Sequence, residues 1–279
     1  MNTCILFVVV AFNNYSSVDL FVDSLVTASD AATIEVAVCD NSPVGKWTPS
    51  HSAVKVFIHC PENPGYLEGA LRALDAYTDR HGSLPEWVVF ANTDLTAVSG
   101  DIGEVPISHG DSDCPVVLAP RITEGCVDRN PHIVEKRPAW RNVLNRWGTR
   151  MLPLAYLYLT VSHVRSAGSR VWPTARHRLG LSSDVGTIMY SPYGAMVIFS
   201  RGFFVRTELP RLVPLFAEEF AIAESARRGR VAIIYEPRIH FEHSAHTTTG
   251  SVVSIARARR LREAFRFIAL YAKEFKERK

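Results

Sequence analysis

The side chains able to do chemistry in this sequence fall in three places. Asp94 closes an apolar run, Trp87 to Ala91 followed by Asn92-Thr93-Asp94, and so offers a carboxylate at a strand end, where a diphosphate and its divalent cation would arrive. His243, within His240-Phe241-Glu242-His243, carries an imidazole that fits either a second ligand of that cation or a structural histidine. His240 and His246 flank it, and the spacing matches no zinc-finger or metalloprotease pattern. The third place is Glu218-Glu219, set among Leu215, Phe216, Phe220 and Ile222. Apolar surroundings raise a carboxylate's pKa and suit it to general-base work; the same pair would equally serve a helix N-terminus, whose dipole favours acidic residues. Walker loops, GxGxxG and a serine nucleophile elbow are missing from the sequence. Readings as a P-loop NTPase, a dehydrogenase or a serine hydrolase thereby lose most of their support.

These residues need a scaffold, and the first half of the chain predicts one. Short β-branched runs alternate with helix-period segments, the pattern of βαβ units and a mainly parallel sheet. Ile5 to Val10 reads as a strand; after the candidate N-caps Ser16-Ser17, Val18, Phe21, Val22 and Leu25 repeat on one helix face. Ile34 to Cys39 and Val54 to Ile58 read as further strands, and Leu67, Ala70, Leu71 and Leu74 mark a second helix. Each strand ends in polar residues: Asn13-Asn14, Asp40-Asn41-Ser42, Asn63 and Asn92-Thr93-Asp94. In open α/β sheets that edge binds ligands, although the same residue types also make ordinary turns. Later strands are predicted at Val116 to Ala119, Ala195 to Phe199 and Val231 to Tyr235, with a polar and aromatic segment from Arg121 to Trp147.

The 279 residues are enough for one main domain, and 47% hydrophobic with 21% charged residues excludes disorder, collagen and coiled coil. A net charge of +3 is too small for a nucleic-acid binder that works by neutralising many phosphates. Five cysteines without CxxC pairing (Cys4, Cys39, Cys60, Cys114, Cys126), mostly in apolar runs, read as reduced core thiols of a cytoplasmic protein. The apolar N-terminal run has no basic n-region, and Met151 to Val164, interrupted by Pro153, is too short to span a bilayer.

Taken in order, Val8-Val9-Val10-Ala11-Phe12-Asn13, Val38-Cys39-Asp40-Asn41-Ser42, Asn63-Pro64-Gly65-Tyr66, Phe90-Ala91-Asn92-Thr93-Asp94, Gly194-Ala195, Phe216-Ala217-Glu218-Glu219 and His243 resemble a family 2 glycosyltransferase of the GT-A fold. The likeness is in particular to the rhamnosyltransferase-like branch that builds bacterial surface polysaccharides. It runs from about Ile5 to Gly250. It implies an α/β fold with a mixed central sheet flanked by helices: a Rossmann-like nucleotide-sugar-binding half over 1–120 and an acceptor-binding and catalytic half over 121–250. By that resemblance Phe12 and Asn13 line the base and ribose pocket, and Asp40 accepts a hydrogen bond from the base. Asn63 and Gly65 lie near the ribose and diphosphate, and Asn92-Thr93-Asp94 is a DXD-like motif. Asp94 and His243 would hold Mg²⁺ or Mn²⁺, Glu219, beside Glu218, would be the base, and Gly194-Ala195 would border the acceptor. The implied reaction is an inverting transfer from a dTDP-, UDP- or GDP-linked sugar to a hydroxyl of a glycan or lipid-linked acceptor. Asn92 and Thr93 leave the motif a single carboxylate.

Nine basic residues against three acidic ones between Ile255 and Lys279 give the tail +6, while Ile255, Ala258, Leu261, Phe265, Ile268, Ala269 and Ala272 share a helical face. This segment, 251–279, reads as a basic amphipathic helix. It would either attach the protein to the cytoplasmic face of an anionic membrane or pack its apolar face on the domain. A reading of a different class is a catalytically weak sugar-nucleotide-binding or scaffold subunit. A nucleotidyltransferase would need a Gly-rich basic loop where Asn13-Asn14-Tyr15-Ser16 stands.

Overall fold

The apolar runs of the first half become neighbouring parallel strands. The computed structural model describes residues 4–28, 33–45, 47–98, 102, 109–136, 138–171, 185–244 and 254–273. His246 lies outside them, as do residues 251–253 and 274–279 of the tail. Of the cysteines expected in the core, Cys39 and Cys60 are buried, but Cys114 and Cys126 are exposed in the turns before and after the strand Val116–Glu124. Strand β1 (Cys4–Ala11) pairs in parallel with β2 (Thr33–Asp40) and β4 (Trp87–Ala91), and β2 with β3 (Val54–His59). Successive β1 side chains alternate between two cores. Ile5, Phe7 and Val9 meet Val18, Phe21, Val22 and Leu25 of α1 (Tyr15–Thr27). Leu6 and Val8 meet Leu67, Ala70, Leu71 and Leu74 of α2 (Tyr66–His81). A strand covered on both faces must be apolar at every position, which is why Ile5 to Val9 shows no polar alternation.

The helix start at Ser16-Ser17 moves to Tyr15, with Asn14 in the N-cap position. Asn14 makes no cap bond with its side chain, because Oδ1 accepts the Phe12 N–H at 3.0 Å and Nδ2 donates to Thr93 Oγ1 at 2.7 Å. The residue thus ties the ends of β1 and β4 together.

The second half completes the same sheet. Strand β9 (Met196–Ser200) runs antiparallel between β4 and β6 (Val116–Glu124); beyond β6 lie β10 (Ala232–His243), parallel to it, and the short antiparallel β5 (Leu95–Ala97). Two-residue strands β7 (Val127–Asp128) and β8 (Ile188–Met189) pair with β6 and β10. Strands β1, β2, β3, β4, β6 and β10 therefore share one direction, and their C-terminal ends, with the start of β9, lie along one edge. Both β6 and β10 run well past the ends expected at Ala119 and Tyr235. Pro120 and Pro237 read as strand breakers in sequence, and they are accommodated at a bulge. Glu236 faces Pro120, yet His240 faces Arg121, so residues 237–239 are extra on β10. Fully buried Glu236 stabilises the bulge by accepting from the Arg238 guanidinium and backbone N–H and by pairing with His109.

Helices α3 (Ala139–Gly148), α4 (Leu152–Val171), α5 (Arg201–Arg206), α6 (Glu218–Gly229) and α7 (Ile255–Lys273) follow. The apolar face of α7 is largely occupied: Ala258, Ala264 and Ala269 are buried, and Phe265 meets Tyr158 of α4 edge-on at 5.5 Å. No helix among the described residues is long and apolar enough to cross a membrane.

Candidate active site

Every polar strand end singled out in the sequence reaches the common edge. At β1, Asn13 takes a left-handed φ of 55°, which asparagine tolerates, and its N–H donates to Ser42 Oγ at 2.8 Å. Phe12 beside it is 36% exposed. Asp40, at the end of β2, is fully buried: Oδ1 accepts the Ser42 N–H at 2.9 Å and Oδ2 the Tyr15 hydroxyl at 3.0 Å. A base reaching Asp40 must therefore share or displace Tyr15. Asn63, exposed at φ 48°, and Gly65, at φ 99°, form the turn into α2, and Asn41 Nδ2 holds the Gly65 carbonyl at 3.0 Å. The Asn92 N–H donates to the Ala195 carbonyl at 2.8 Å; the Ala195 methyl is buried in the core, which leaves Gly194 at the surface of that edge.

The strand register places His243 opposite Leu95, and so beside Asp94. His243 Nε2 lies 3.1 Å from Asp94 Oδ1, and Nδ1 lies 2.9 Å from Glu124 Oε1 at the end of β6. Glu124 also accepts from the Tyr193 hydroxyl at 2.6 Å and pairs with Arg129. Burial would push the imidazole's pKa down, but the two carboxylates outweigh it and hold it up at about 9. Burial likewise opposes ionisation of Glu124, yet His243, Arg129 and Tyr193 bring its carboxyl down to about 2. The two acidic neighbours thus favour the protonated ring, and a cation bound at Nε2 would take the place of that proton.

That trio fits a divalent cation through two of its members. Two donors at right angles about 2.1 Å from a Mg²⁺ ion are about 3 Å apart, the separation of Asp94 Oδ1 and His243 Nε2. A carboxylate on the other ring nitrogen, as Glu124 provides, orients a ligating histidine. No set of three acidic, His or Cys side chains among the described residues could hold a metal alone, so the remaining positions would fall to substrate oxygens and water.

Glu219 stands at the start of α6. Its Oε1 accepts the Gly194 N–H at 2.8 Å, and Oε2 lies 3.3 Å from His132 Nε2. Tyr193 links the two clusters, its ring centroid 5.7 Å from that of His132 and 6.0 Å from that of His243. Glu218 is buried, and desolvation, reinforced by the neighbouring Glu219 charge, lifts its pKa to about 7. Glu218 Oε1 and the buried Tyr66 hydroxyl find no hydrogen-bond partner among the described residues. Burial, then the charges of Glu218 and Asp94, raise the Tyr66 pKa. Unsatisfied buried polar atoms beside Asp94 are what a site completed by a polar ligand leaves in the protein alone.

Glu124, Arg129, His132 and Tyr193 were given no role from the sequence, whereas Tyr66 closes the Asn63-Pro64-Gly65-Tyr66 motif. Tyr193 precedes Gly194, and Glu124 obeys the same strand-end rule as Asp94 once β6 is extended past Pro120.

This sheet order, with helices on both faces, is that of the GT-A fold class. The similar solved structures include S. aureus TarS (TM-score 0.50, 11% identity, 88% of this chain, 37% of that one). They also include GalNAc-T7 with UDP, GalNAc and Mn²⁺ (TM-score 0.53, 11% identity, 87% and 44%). A third is S. aureus TarS 1–349 in complex with UDP-GlcNAc (TM-score 0.50, 10% identity, 96% and 67%). The chain thus spans less than half the length of the first two. At these identities the likeness shows the fold. No protein-family model matches the chain, and no curated protein matches its sequence.

Proposed function

We propose that this protein is a metal-dependent, inverting glycosyltransferase that moves a hexosyl or deoxyhexosyl group from a nucleoside-diphosphate donor to a hydroxyl of a glycan or lipid-linked acceptor. We assign its catalytic unit to 1–250. The observation that carries the reading is one sheet edge bearing both the Asp94–His243 pair and Glu219 held by the Gly194 amide. Phe12, Asn13, Asp40, Asn63, Gly65, Asn92 and Thr93 are assigned to the donor's base, ribose and diphosphate, and Gly194-Ala195 to the acceptor border. UDP, GalNAc and Mn²⁺ in GalNAc-T7 support a ligand set of this class for this chain. The rhamnosyltransferase-like branch and a surface-polysaccharide product remain the finer reading that the ordered motifs support.

Glu219 takes the proton of the acceptor hydroxyl as that oxygen attacks the anomeric carbon, opposite the leaving nucleoside diphosphate. The Gly194 N–H fixes one carboxylate oxygen, and the His132 imidazole stands beside the other. Mg²⁺ or Mn²⁺ on Asp94 and His243 would supply Lewis-acid neutralisation of the diphosphate's charge. Tyr193 and Glu124 keep His243 in its orientation.

Calorimetric titration with UDP-, dTDP- and GDP-sugars, with and without Mn²⁺, tests the reading. Metal-dependent binding of one donor, lost in Asp94→Ala, is expected. Absence of binding to every donor would overturn it; binding without turnover on any acceptor would favour the scaffold subunit.

A further inference from the structure

We propose that α3, α4 and α7 together form a docking surface that lies in the headgroup region of an anionic bilayer, its apolar contacts coming from α3 and α4 rather than from the tail. In α3, Trp140, Leu144 and Trp147 recur at i, i+4 and i+7 and so share a face; they are 60%, 59% and 62% exposed. In α4, Leu154, Leu157 and Val161 recur at i, i+3 and i+7 and are exposed as well. Single exposed apolar residues are ordinary, but two stripes on consecutive helices, with tryptophan at both ends of the first, are not. Both stripes stay exposed although α3 and α4 each pack against α7.

Charge decides the occupant. From Ala139 to Val171 there are five arginines and no acidic residue, and from Ile255 to Lys273 six basic residues and one acid, Glu263. The whole chain carries only +3, so these three helices concentrate its positive charge. A second copy of the chain would bring like charge against like. Nucleic acid would satisfy the arginines but leave the leucine and valine stripe without an apolar partner. An anionic bilayer meets both: acyl chains take the aliphatic stripe, the headgroup boundary takes the tryptophans, and anionic lipid takes the arginines.

The surface borders the candidate active site. Arg257, in the first turn of α7, lies over the Phe216 ring at 5.6 Å, two residues before Glu218. If the transferase reading holds, the surface presents that site to an acceptor anchored in the same lipid; the docking itself does not depend on that reading.

The test uses the full chain and vesicles of phosphatidylcholine alone or with about one-third phosphatidylglycerol. Expected is salt-sensitive co-sedimentation with the anionic vesicles only, and tryptophan quenching by lipids spin-labelled on the acyl chain. Trp140→Ser/Trp147→Ser, with unaltered thermal unfolding, should bind at least about tenfold more weakly and lose that quenching. Arg259→Glu/Arg262→Glu, both exposed, should lose the preference for anionic lipid. Failure of the wild-type chain to sediment would overturn the proposal. So would binding that the tryptophan pair does not affect, or self-association or RNA binding through these tryptophans in place of vesicle binding. Because the readout needs no sugar donor, its failure is separate from failure of the transferase reading.

Discussion

The Gly194 amide donates to Glu219 Oε1 at 2.8 Å, and a methyl added to Gly194 would stand 2.9 Å from Glu219 Cγ. The hydrogen bond and the missing side chain together aim the carboxylate. Glu219→Gln keeps an oxygen for that amide but cannot take a proton. Turnover should fall by about 10²–10⁴-fold with donor affinity close to normal. Steady-state kinetics beside calorimetry measure this, and a variant keeping more than about a tenth of wild-type turnover would exclude Glu219 as the base. Gly194→Ala, which must push Glu219 aside, should lose turnover while its melting temperature stays close to that of the wild type.

Glu124 holds His243 by its Nδ1. Replacing it with Gln removes the charge that orients the ring, so Mn²⁺ affinity in the presence of a nucleoside diphosphate should drop by about 10–100-fold. Metal titration reads this directly, and an unchanged affinity would remove His243 from the ligand set.

Glu218 has a folded pKa of about 7 against 4.5 for an ordinary glutamate, so the folded chain binds this proton more tightly than the unfolded chain. Stability from this group is therefore present below about pH 4.5 and is lost as pH rises through about 7. Glu218→Gln should raise the melting temperature at pH 8, by a stabilisation on the order of 2 kcal/mol, and leave it unchanged at pH 4. Thermal unfolding at the two pH values decides, and a variant destabilised at both would sink the account.

Tyr15 occupies Oδ2 of Asp40, the residue assigned to the donor's base. If the hydroxyl competes with the base, Tyr15→Phe should tighten donor binding by roughly three- to tenfold, the worth of one net hydrogen bond. Weaker binding would mean that the hydroxyl contacts the donor itself.

The legible parts of the fold were those fixed by local spacing. Val18, Phe21, Val22 and Leu25 reach the core as their helical period predicts, and the strand ends of the first half reach one edge. The Glu124–His243 bond was not legible, because 119 residues separate its partners and both strands continue through a proline. The tail's apolar face gave no sign of its partner either. Its buried positions are alanines, whose small size suits close helix packing, and neither the core that takes up Ala264 nor the Tyr158 that meets Phe265 has a periodic link to them in the sequence.

The bulge on β10 separates two jobs within one strand. Residues 232–236 pair with β6 to build the core, residues 240–243 carry the histidine, and 237–239 bridge them without a partner on β6, anchored by Ile239 in the core and by Arg238 on Glu236. That bridge acts as a length gauge. Removing one of its residues would shift 240–243 by one position against β6 and β5 and turn the imidazole to the other face of the sheet, away from Asp94. An insertion or deletion there would therefore reach the site through the parity of the strand, and the core through Ile239.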